Sequence, residues 1–375
     1  ASPSSRLSLY KKWIDMSMNG EMRFLGRQDR VERRENLELI LPQVRSVIVC
    51  SLLYWPGKSA FRGNTRDLKN QEWSKNPMSS LEGIVSSYAW GEDYHSILES
   101  KLEALACWLH GKAGGDAKWY VDTGPLMERD LGERAGMGFI GKNTLLIHPE
   151  FGSGFFLGEI LSTLPLADYA TQSEDNSAAI GQSRAPKKGK CGKCTLCQVK
   201  CPTGAFASEY VLDARKCISY LTIELKGSIP VEIREKIGAR IYGCDICQQV
   251  CPWNSFDWQS RQSEDSQTYS PLFGMVPHDL SNPRLDELAV ISEEAFQARF
   301  RGSAVLRIGR DRLRRNALVA LGNISPLAFF ALPPLEQSRI VGLLKSIKDD
   351  HERESNMIRE HAEWAWERLN HHLGS

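Results

Sequence analysis

Regularly spaced cysteines are the residues in this chain with the clearest chemistry. Four follow the pattern C-x₂-C-x₂-C-x₃-C-P from Cys191 to Pro202, and three more form C-x₂-C-x₃-C-P from Cys244 to Pro252. The first pattern is typical of proteins that hold two [4Fe–4S] clusters, where the last cysteine of the run binds the other cluster. The sequence therefore predicts two [4Fe–4S] clusters, each with four thiolate ligands.

The two motifs contain seven cysteines, so the eighth ligand must lie elsewhere. Cys217 lies between the motifs, whereas Cys50 lies in an apolar run. Cys50 and Cys107 are interpreted as buried small hydrophobic residues. Crossover between the motifs then predicts two ligand sets. One set is Cys191, Cys194, Cys197 and Cys251. The other set is Cys201, Cys217, Cys244 and Cys247.

Structural zinc and disulfides are the alternative uses of these cysteines. Zinc sites pair two knuckles of the C-x₂-C type, which this spacing does not match. Disulfides belong to secreted chains, and the N-terminal residues 1–5 lack the charged and apolar regions of a signal peptide. A reducing cytoplasmic setting is therefore expected.

Composition limits the possible partners. The 375 residues include 47 basic and 46 acidic side chains, for a net charge of +1, so a nucleic-acid surface must be local. No apolar run reaches the ~18 residues of a membrane span, so no membrane partner is expected.

Apolar patterns predict the elements that position these groups. The pattern predicts helical structure at residues 8–41 and a helix at 94–109. It predicts a buried strand in the middle of a sheet at 45–54, and further strands at 119–121 and 154–161. Strands that alternate with helices indicate an α/β domain over about residues 1–166. The polar composition of 167–190 indicates a linker. Helical segments around 313–321 and 358–366 are offset by 45 residues, as in HEAT-like repeats.

Asp122 is the carboxylate with the most suggestive position. It follows a predicted strand in an α/β domain, where such folds bind ligands; its alternative role is to cap the Thr-Gly-Pro turn. His95 is interpreted as a histidine satisfied by local partners. The G-x-G-x-x-G run from Gly136 to Gly141 lacks the preceding strand of a nucleotide-binding loop. We interpret it as a turn whose backbone approaches a large ligand.

Together with the cysteine motifs, four segments resemble the epoxyqueuosine reductase family over about residues 20–325. They are SYAWGEDYH at 87–95, VDTGPLMER at 121–129, RAGMGFIGKN at 134–143 and KCISYLT at 216–222. The resemblance implies an α/β cobalamin-binding and catalytic domain at 1–166 and a ferredoxin-like two-cluster module at 191–256. It also implies an all-α HEAT-like tRNA-binding region at 257–375.

The family reduces epoxyqueuosine to queuosine at the wobble position of tRNAs for Asp, Asn, His and Tyr, so the resemblance implies tRNA as partner. It also implies cobalamin, an external flavodoxin- or ferredoxin-type electron donor, and a monomer. Asp122 matches the family's proton donor. Positions that line cobalamin match Arg34, Ser86, Leu146, Leu157, Ser219, Gly243, Cys244 and Asp245, with Asp122. Some relatives have cysteine at the position of Ser86, so a thiol at that site is not expected to be essential here.

Two other functions share part of this pattern. Reductive dehalogenases combine cobalamin with two clusters, but they typically carry a twin-arginine export signal and need no basic helical tail. A non-catalytic electron carrier or cobalamin-handling protein would explain the cysteines without Asp122.

Basic residues suggest where tRNA binds. Arg129 and Lys226 match tRNA-contacting positions of the family. Six arginines also crowd residues 301–315 beside a single acidic residue, Asp311, which predicts a local phosphate-binding patch. The six are Arg301, Arg307, Arg310, Arg312, Arg314 and Arg315. Helical spacing would place Arg307, Arg310 and Arg314 on one face, and Arg310, Arg314 and Arg315 are predicted to contact tRNA. The alternative is a solvated charged helix face.

The ligand assignment predicts the effect of single cysteine substitutions. Cys217→Ser should lower bound iron as much as Cys247→Ser, because each removes one of eight ligands. Cys50→Ser and Cys107→Ser serve as controls that keep their iron. Iron and sulfide assays measure the outcome, and full iron content in Cys217→Ser would contradict the assignment.

Overall fold

The computed structural model describes residues 4–57, 81–166, 189–255 and 278–373. The N-terminal region contains four α-helices and six strands within these ranges. The helices are α1 (Leu7–Asp15), α2 (Gln28–Glu35), α3 (Tyr94–Ala113) and α4 (Glu128–Arg134). The strands are β1 (Ser46–Leu53), β2 (Ile84–Val85), β3 (Ala117–Tyr120), β4 (Phe139–Ile140), β5 (Leu146–Ile147) and β6 (Phe155–Ser162). The predicted helix at 8–41 is thus divided into α1, α2 and two short 3₁₀ turns.

The predicted strand at 45–54 forms as β1, but it lies at the edge of its sheet. The order of this sheet is β1-β6-β3, and β6 pairs antiparallel with both neighbours. The expectation of a mid-sheet β1 is wrong, because β6, which is buried along most of its length, takes the centre. The rule that parallel sheets bind ligands at their carboxyl ends therefore does not apply to Asp122.

Helices cover both faces of β6 because its side chains alternate. One face packs against α3 through a cluster that includes Leu98, Leu102, Phe156 and Ile160. The opposite face carries Glu159 and Leu161 and is covered by α4. Two helix layers therefore enclose the sheet and position the ends of β3 and β6.

The N-terminus of α3 is defined by a side-chain cap. The Asp93 carboxylate accepts a hydrogen bond from the His95 backbone N–H at 3.1 Å, a typical N-cap contact. Gly114 ends the helix with φ +73°, a conformation that favours glycine. The cap determines where the Tyr94 and His95 side chains leave the helix.

The cysteine-rich region consists of short elements between its motifs. They are α5 (Leu196–Val199), β7 (Phe206–Ser208), β8 (Val211–Leu212), α6 (Ile218–Ile223), α7 (Val231–Ile237), β9 (Arg240–Tyr242) and α8 (Ile246–Gln249). β9 pairs in parallel with β2 from the N-terminal region. Residues 81–89 also share a core with the C-terminal helices, so the predicted boundaries near 166 and 256 do not separate independent cores.

The C-terminal region is helical, as predicted. Its helices are α9 (His278–Ser281), α10 (Leu285–Ala289), α11 (Glu293–Arg299), α12 (Arg310–Gly322), α13 (Pro326–Phe330), α14 (Pro334–Asp349) and α15 (Asn356–Leu373). α12 packs against α10 and α15, and α14 packs against α15. The HEAT-like repeat stays a prediction, and most of the predicted linker lies outside the described residues. Across the described ranges, no helix has the length and apolar character needed to cross a membrane.

The arginines of α12 correct the prediction of a tRNA-binding face. Arg314 is buried; it donates to the Ala289 carbonyl at 2.8 Å and forms an ion pair with Glu354. Arg307 lies in the preceding 3₁₀ turn, separated from α12 by Gly309. The three arginines therefore share no exposed helical face, and the interpretation of Arg314 and Arg315 as phosphate contacts is wrong.

Arg315 and Asn316 instead attach α12 to the cysteine-rich region. The fully buried Arg315 guanidinium donates to the carbonyl oxygens of Leu221, Leu225 and Gly227 at 2.5–2.8 Å. Burial lowers the pKa of Arg315 to about 9. The Asn316 amide donates to the carbonyls of Thr222 and Ile241, each at 2.8 Å. α12 thus holds the backbone next to α6 and β9 in place.

Arg315→Ala should destabilise the protein by about 3 kcal/mol, because a buried carbonyl without a partner costs ~1–3 kcal/mol. Arg353 is exposed and its side chain forms no hydrogen bond in the described structure, so Arg353→Ala should stay within ~0.5 kcal/mol of the parent. Anaerobic denaturant unfolding measures both variants. Parent-like stability of Arg315→Ala with weakened tRNA binding would restore the phosphate-contact interpretation.

Candidate active site

The predicted ligands of the first cluster lie together. Burial, with smaller contributions from the nearby thiols of Cys191, Cys197 and Cys194, raises the pKa of the Cys251 thiol to about 11. Cys251 therefore joins the first motif, although more than 50 residues separate them in the chain.

The remaining predicted ligands form a second group. Burial raises the pKa of Cys247 well above its usual value, and the thiols of Cys244, Cys217 and Cys201 add to this rise. Cys197 of the first group also acts on Cys247, so the two groups adjoin.

Both groups have the chemistry that iron requires. A buried thiol resists ionisation, whereas iron supplies the positive charge that stabilises a thiolate. In the parts of the chain that the structure describes, no three His, Cys, Asp or Glu side chains converge as they would around one metal ion. The ligands of a [4Fe–4S] cluster each bind a different iron, so they stand farther apart than the ligands of one ion. Cys50 is half-buried on β1, whereas Cys107 is exposed on α3, so the prediction that Cys107 is buried is wrong.

The glycine-rich turn borders the first group of thiols. The Lys142 backbone N–H donates to the Cys191 sulfur at 3.4 Å. A Cβ at Gly138 would lie 2.2 Å from the Ile147 carbonyl oxygen, so this backbone contact requires glycine. The turn does approach a predicted cofactor site, through Lys142.

Asp122 lies two residues after the end of β3, and its side chain is 54% exposed. The Tyr94 hydroxyl donates to its Oδ2 at 2.9 Å. His95 Nε2 lies 3.8 Å from the same oxygen, while His95 Nδ1 lies 2.7 Å from Asp93 Oδ1. With φ +56°, Asp122 has a left-handed backbone, which is uncommon for a residue other than glycine. One carboxylate oxygen is therefore oriented by Tyr94 while much of the side chain faces solvent.

Aromatic rings form an apolar wall next to Asp122. The rings of Tyr94 and Phe156 stack with centroids 4.0 Å apart and planes 4° apart. Burial, and then the Asp122 carboxylate, raises the pKa of Tyr94, so its hydroxyl stays a donor. Tyr54 and Tyr88 continue the wall beyond Phe156. Tyr94 and Phe156 are buried, so the half-buried rings of Tyr54 and Tyr88 are the part of this wall that can pack against a large planar ligand.

Two further carboxyl groups lie behind Asp122. Burial raises the pKa of Glu128 to about 7, and Asp122 contributes to the rise. Glu159 is fully buried, and burial followed by Glu128 raises its pKa well above the usual value. An acidic residue in the middle of an apolar strand could have drawn attention to Glu159 in the sequence.

Comparisons with known proteins identify the family. Residues 34–123 match the family model described as "Epoxyqueuosine reductase QueG, DUF1730", and residues 190–254 match the "4Fe-4S double cluster binding domain". The epoxyqueuosine reductase of Burkholderia pseudomallei is 39% identical over 361 residues, covering 94% of this chain and 83% of the relative. The chain belongs to the epoxyqueuosine reductase family. It is therefore an oxidoreductase that reduces epoxyqueuosine to queuosine, and residues 190–254 bind two [4Fe–4S] clusters.

Other epoxyqueuosine reductases agree in sequence and fold. The Escherichia coli relative is 38% identical over 354 residues, covering 94% of this chain and 80% of its own. A structure from Bacillus subtilis has a TM-score of 0.73 at 28% identity and covers 98% of this chain and 84% of that one. A structure of epoxyqueuosine reductase with an epoxyqueuosine-modified tRNA-Tyr stem loop has a TM-score of 0.70 at 27% identity. It covers 98% of this chain and 93% of that one. Dehalogenation and non-catalytic electron transfer are thereby set aside.

The structure brings three of the predicted cobalamin-lining residues of this reductase together. The Ser86 hydroxyl bonds to the buried Asp245 carboxylate, which also accepts from the Ser87 N–H at 2.7 Å. Burial raises the pKa of Asp245, while Ser86 and Ser87 oppose the rise. Gly243 has φ +71°, and a Cβ there would lie 2.5 Å from Ser86 Cβ. Ser86, Gly243 and Asp245 thus form a tight unit beside Cys244.

The other predicted lining residues are more dispersed. Leu157 is half-buried on the face of β6 that carries Glu159, and Ser219 is half-buried on α6. The buried Arg34 guanidinium lies 5.0 Å from the centre of the Tyr10 ring and acts electrostatically on Glu128. The Leu146 side chain is buried against Gly132, so only its backbone can face a ligand.

The remaining predicted tRNA contacts differ in accessibility. Arg129 is exposed and donates to the Thr144 carbonyl, and Lys226 is exposed. Arg310 is half-buried and forms ion pairs with Asp311 and Glu293. Among these three residues, Lys226 is therefore the one whose charged group has no contact in the described structure.

Gly243→Ala should lower the free energy of unfolding by about 1–2 kcal/mol more than Gly136→Ala. Both glycines have similar positive φ values, of +71° and +78°, and strain of ~1–2 kcal/mol is common to both. Only the new Cβ at Gly243 meets another residue, because nothing lies within 4 Å at Gly136. Thermal and denaturant unfolding compare the two, and equal destabilisation would contradict the close packing at Ser86.

Proposed function

We propose that Asp122 donates the protons that this reductase needs, at the wobble nucleoside of tRNAs for Asp, Asn, His and Tyr. The observation that carries the proposal is the placement of Asp122: half-exposed, oriented by Tyr94, and next to an aromatic wall. A carboxyl group there can reach a substrate and is held in one orientation, as general acid catalysis requires.

The chemistry defines what the side chains must supply. Conversion of an epoxide to an alkene breaks both C–O bonds, takes up two electrons and two protons, and releases water. Cobalamin, when bound, supplies the two-electron chemistry at carbon or oxygen. The protein orients the nucleoside, keeps it near Asp122 and delivers protons to the departing oxygen.

The residues around the site fit a large cofactor such as cobalamin. The aromatic wall offers apolar contact, and Gly243 packs closely against Ser86 because it has no Cβ. Ser86, Gly243 and Asp245 would hold one side of the cofactor, with Ser219 and the backbone of Cys244. Leu157, Arg34 and Asp122 would hold the other, with the backbone of Leu146.

The two groups of thiols support the predicted ligand sets. Cys191, Cys194, Cys197 and Cys251 would hold one cluster, and Cys201, Cys217, Cys244 and Cys247 the other. Because Cys197 and Cys247 adjoin, single electrons can pass between the clusters and reach the site beside Gly243. An external donor of the flavodoxin or ferredoxin type would reduce them, and the reductase would act as a cytoplasmic monomer.

A tRNA anticodon loop is the proposed substrate surface. Single-stranded loops expose bases that a protein can draw into a pocket, and a solved relative holds a modified tRNA-Tyr stem loop. Arg129 and Lys226 are exposed and suit phosphate contacts. Arg310 can contribute if a phosphate replaces its present carboxylate partners.

Asp122→Asn should retain cobalamin, iron and tRNA binding but lose most turnover. The amide keeps the shape of the side chain and can still accept from Tyr94, but it cannot serve as an acid, so a loss of ~10²–10⁴-fold in kcat is expected. Asp116→Asn is the matched control, since Asp116 is exposed and its side chain forms no hydrogen bond in the described structure. Digestion of the product tRNA to nucleosides measures queuosine. Parent-like turnover of Asp122→Asn would return Asp122 to a turn-forming role.

A further inference from the structure

Glu159 is a buried acid that the proposed mechanism does not use. It lies at the centre of β6, where it pairs with Tyr120 of β3. Tyr120 precedes Asp122 by two residues. Its exposure is 0%, and within the described residues neither carboxyl oxygen has a hydrogen-bond partner. A charged carboxylate without partners is costly inside a protein, so such a group holds a proton.

Glu128 connects Glu159 with Asp122. It is the first residue of α4, which packs on the face of β6 that carries Glu159. Its carboxylate accepts a hydrogen bond from the Asp122 backbone, and its Oε1 is buried without a partner in the described structure. Exposure therefore rises along the series from Glu159 through Glu128 to Asp122.

The surrounding charges do not neutralise all three acids. Arg34 from α2 and Arg129 from α4 act on Glu128, whereas Glu128 and Asp122 are the charged groups that act on Glu159. The Cys50 thiol of β1 is also near, and Glu159 raises its pKa. Tyr94 and His95 approach Asp122 from α3. Burial raises the pKa of both Glu128 and Glu159, and each ionised carboxylate would disfavour ionisation of the other, so the pair can hold a proton.

The reaction consumes two protons, whereas Asp122 carries one at a time. We propose that Glu128 and Glu159 form a proton reservoir that reprotonates Asp122 within one turnover. Asp122 gives its proton to the oxygen when the first C–O bond breaks. A proton then moves from the pair to Asp122, which delivers it as the second C–O bond breaks and water leaves. Solvent restores the proton of the pair between turnovers, and the two electrons come from the established reduction.

This inference rests on Asp122 as the proton donor, and its test is the pH profile of Glu159→Gln with reductant and tRNA in excess. The amide keeps the volume of the side chain but holds no transferable proton. At acidic pH, solvent supplies protons readily without the reservoir, and kcat should stay near the parent value. At mildly alkaline pH, kcat should fall by roughly tenfold or more, since proton transfer typically contributes ~10²–10⁴-fold. Glu128→Gln should show the same pH dependence of kcat. The control is Glu103→Gln, because Glu103 is exposed on α3.

A second measurement does not depend on turnover. Infrared difference titration of the tRNA-free protein should show protonated carboxyl absorption near neutral pH that persists in Asp122→Asn and loses one component in Glu159→Gln. Because a raised carboxyl pKa destabilises the folded state increasingly above the usual pKa, Glu159→Gln should melt higher than the parent as pH rises. Failure of this variant to fold is therefore not expected.

The outcomes distinguish the proposed proton donor, Asp122, from the proposed reservoir of Glu128 and Glu159. If Asp122→Asn keeps parent turnover, the proposed proton donor is wrong. If Asp122→Asn is inactive but the pH profile and band of Glu159→Gln match the parent, only the reservoir is wrong. A loss of kcat that is equal at all pH values would show a purely structural role for Glu159 and would also overturn the reservoir.

Discussion

The convergence of eight partly buried thiols is the constraint on which much of this structure depends. Burial raises the pKa of the Cys217, Cys244, Cys247 and Cys251 thiols, and neighbouring thiols add to the rise. Thiolates become favourable there only with the positive charge of iron. The cysteine-rich region has little regular structure of its own, so its backbone must be held by contacts from outside it.

The C-terminal helices supply part of that support. Arg315 and Asn316 bond to carbonyls in the segment that follows Cys217 and in the strand that precedes Cys244. Gly243 directly follows the same strand, and its N–H donates to the Thr222 hydroxyl of α6 at 3.0 Å. One buried polar network therefore connects the C-terminal region, two ligands of one cluster and the proposed cofactor surface. A buried arginine of this kind fixes the position of the backbone, because the carbonyl groups that it binds would otherwise be buried without a hydrogen bond.

The proposed catalytic surface draws on three distant segments. Asp122 follows β3, Tyr94 and His95 begin α3, and Gly243 follows β9. The tail participates too, since the Asp93 N–H donates to the Gly302 carbonyl at 2.7 Å. A site built this way can hold a carboxylate near solvent while a second set of acids remains enclosed by β6 and α4.

The sequence by itself determined the iron–sulfur chemistry, the family and the location of Asp122. The cysteine motifs and the motif around Asp122 can be recognised in the sequence because the residues of each motif lie only a few positions apart, and this short spacing decides which side chains can reach the same ligand. It also predicted α3, β1 and the helical tail, whose apolar periods match their elements. Only the tertiary structure decided that β1 lies at an edge, that Arg314 and Arg315 face inward, and that Glu159 approaches Glu128. A run of arginines looks the same in sequence whether its partners are phosphates or buried carbonyls, since those partners lie tens of residues away and only folding brings them close.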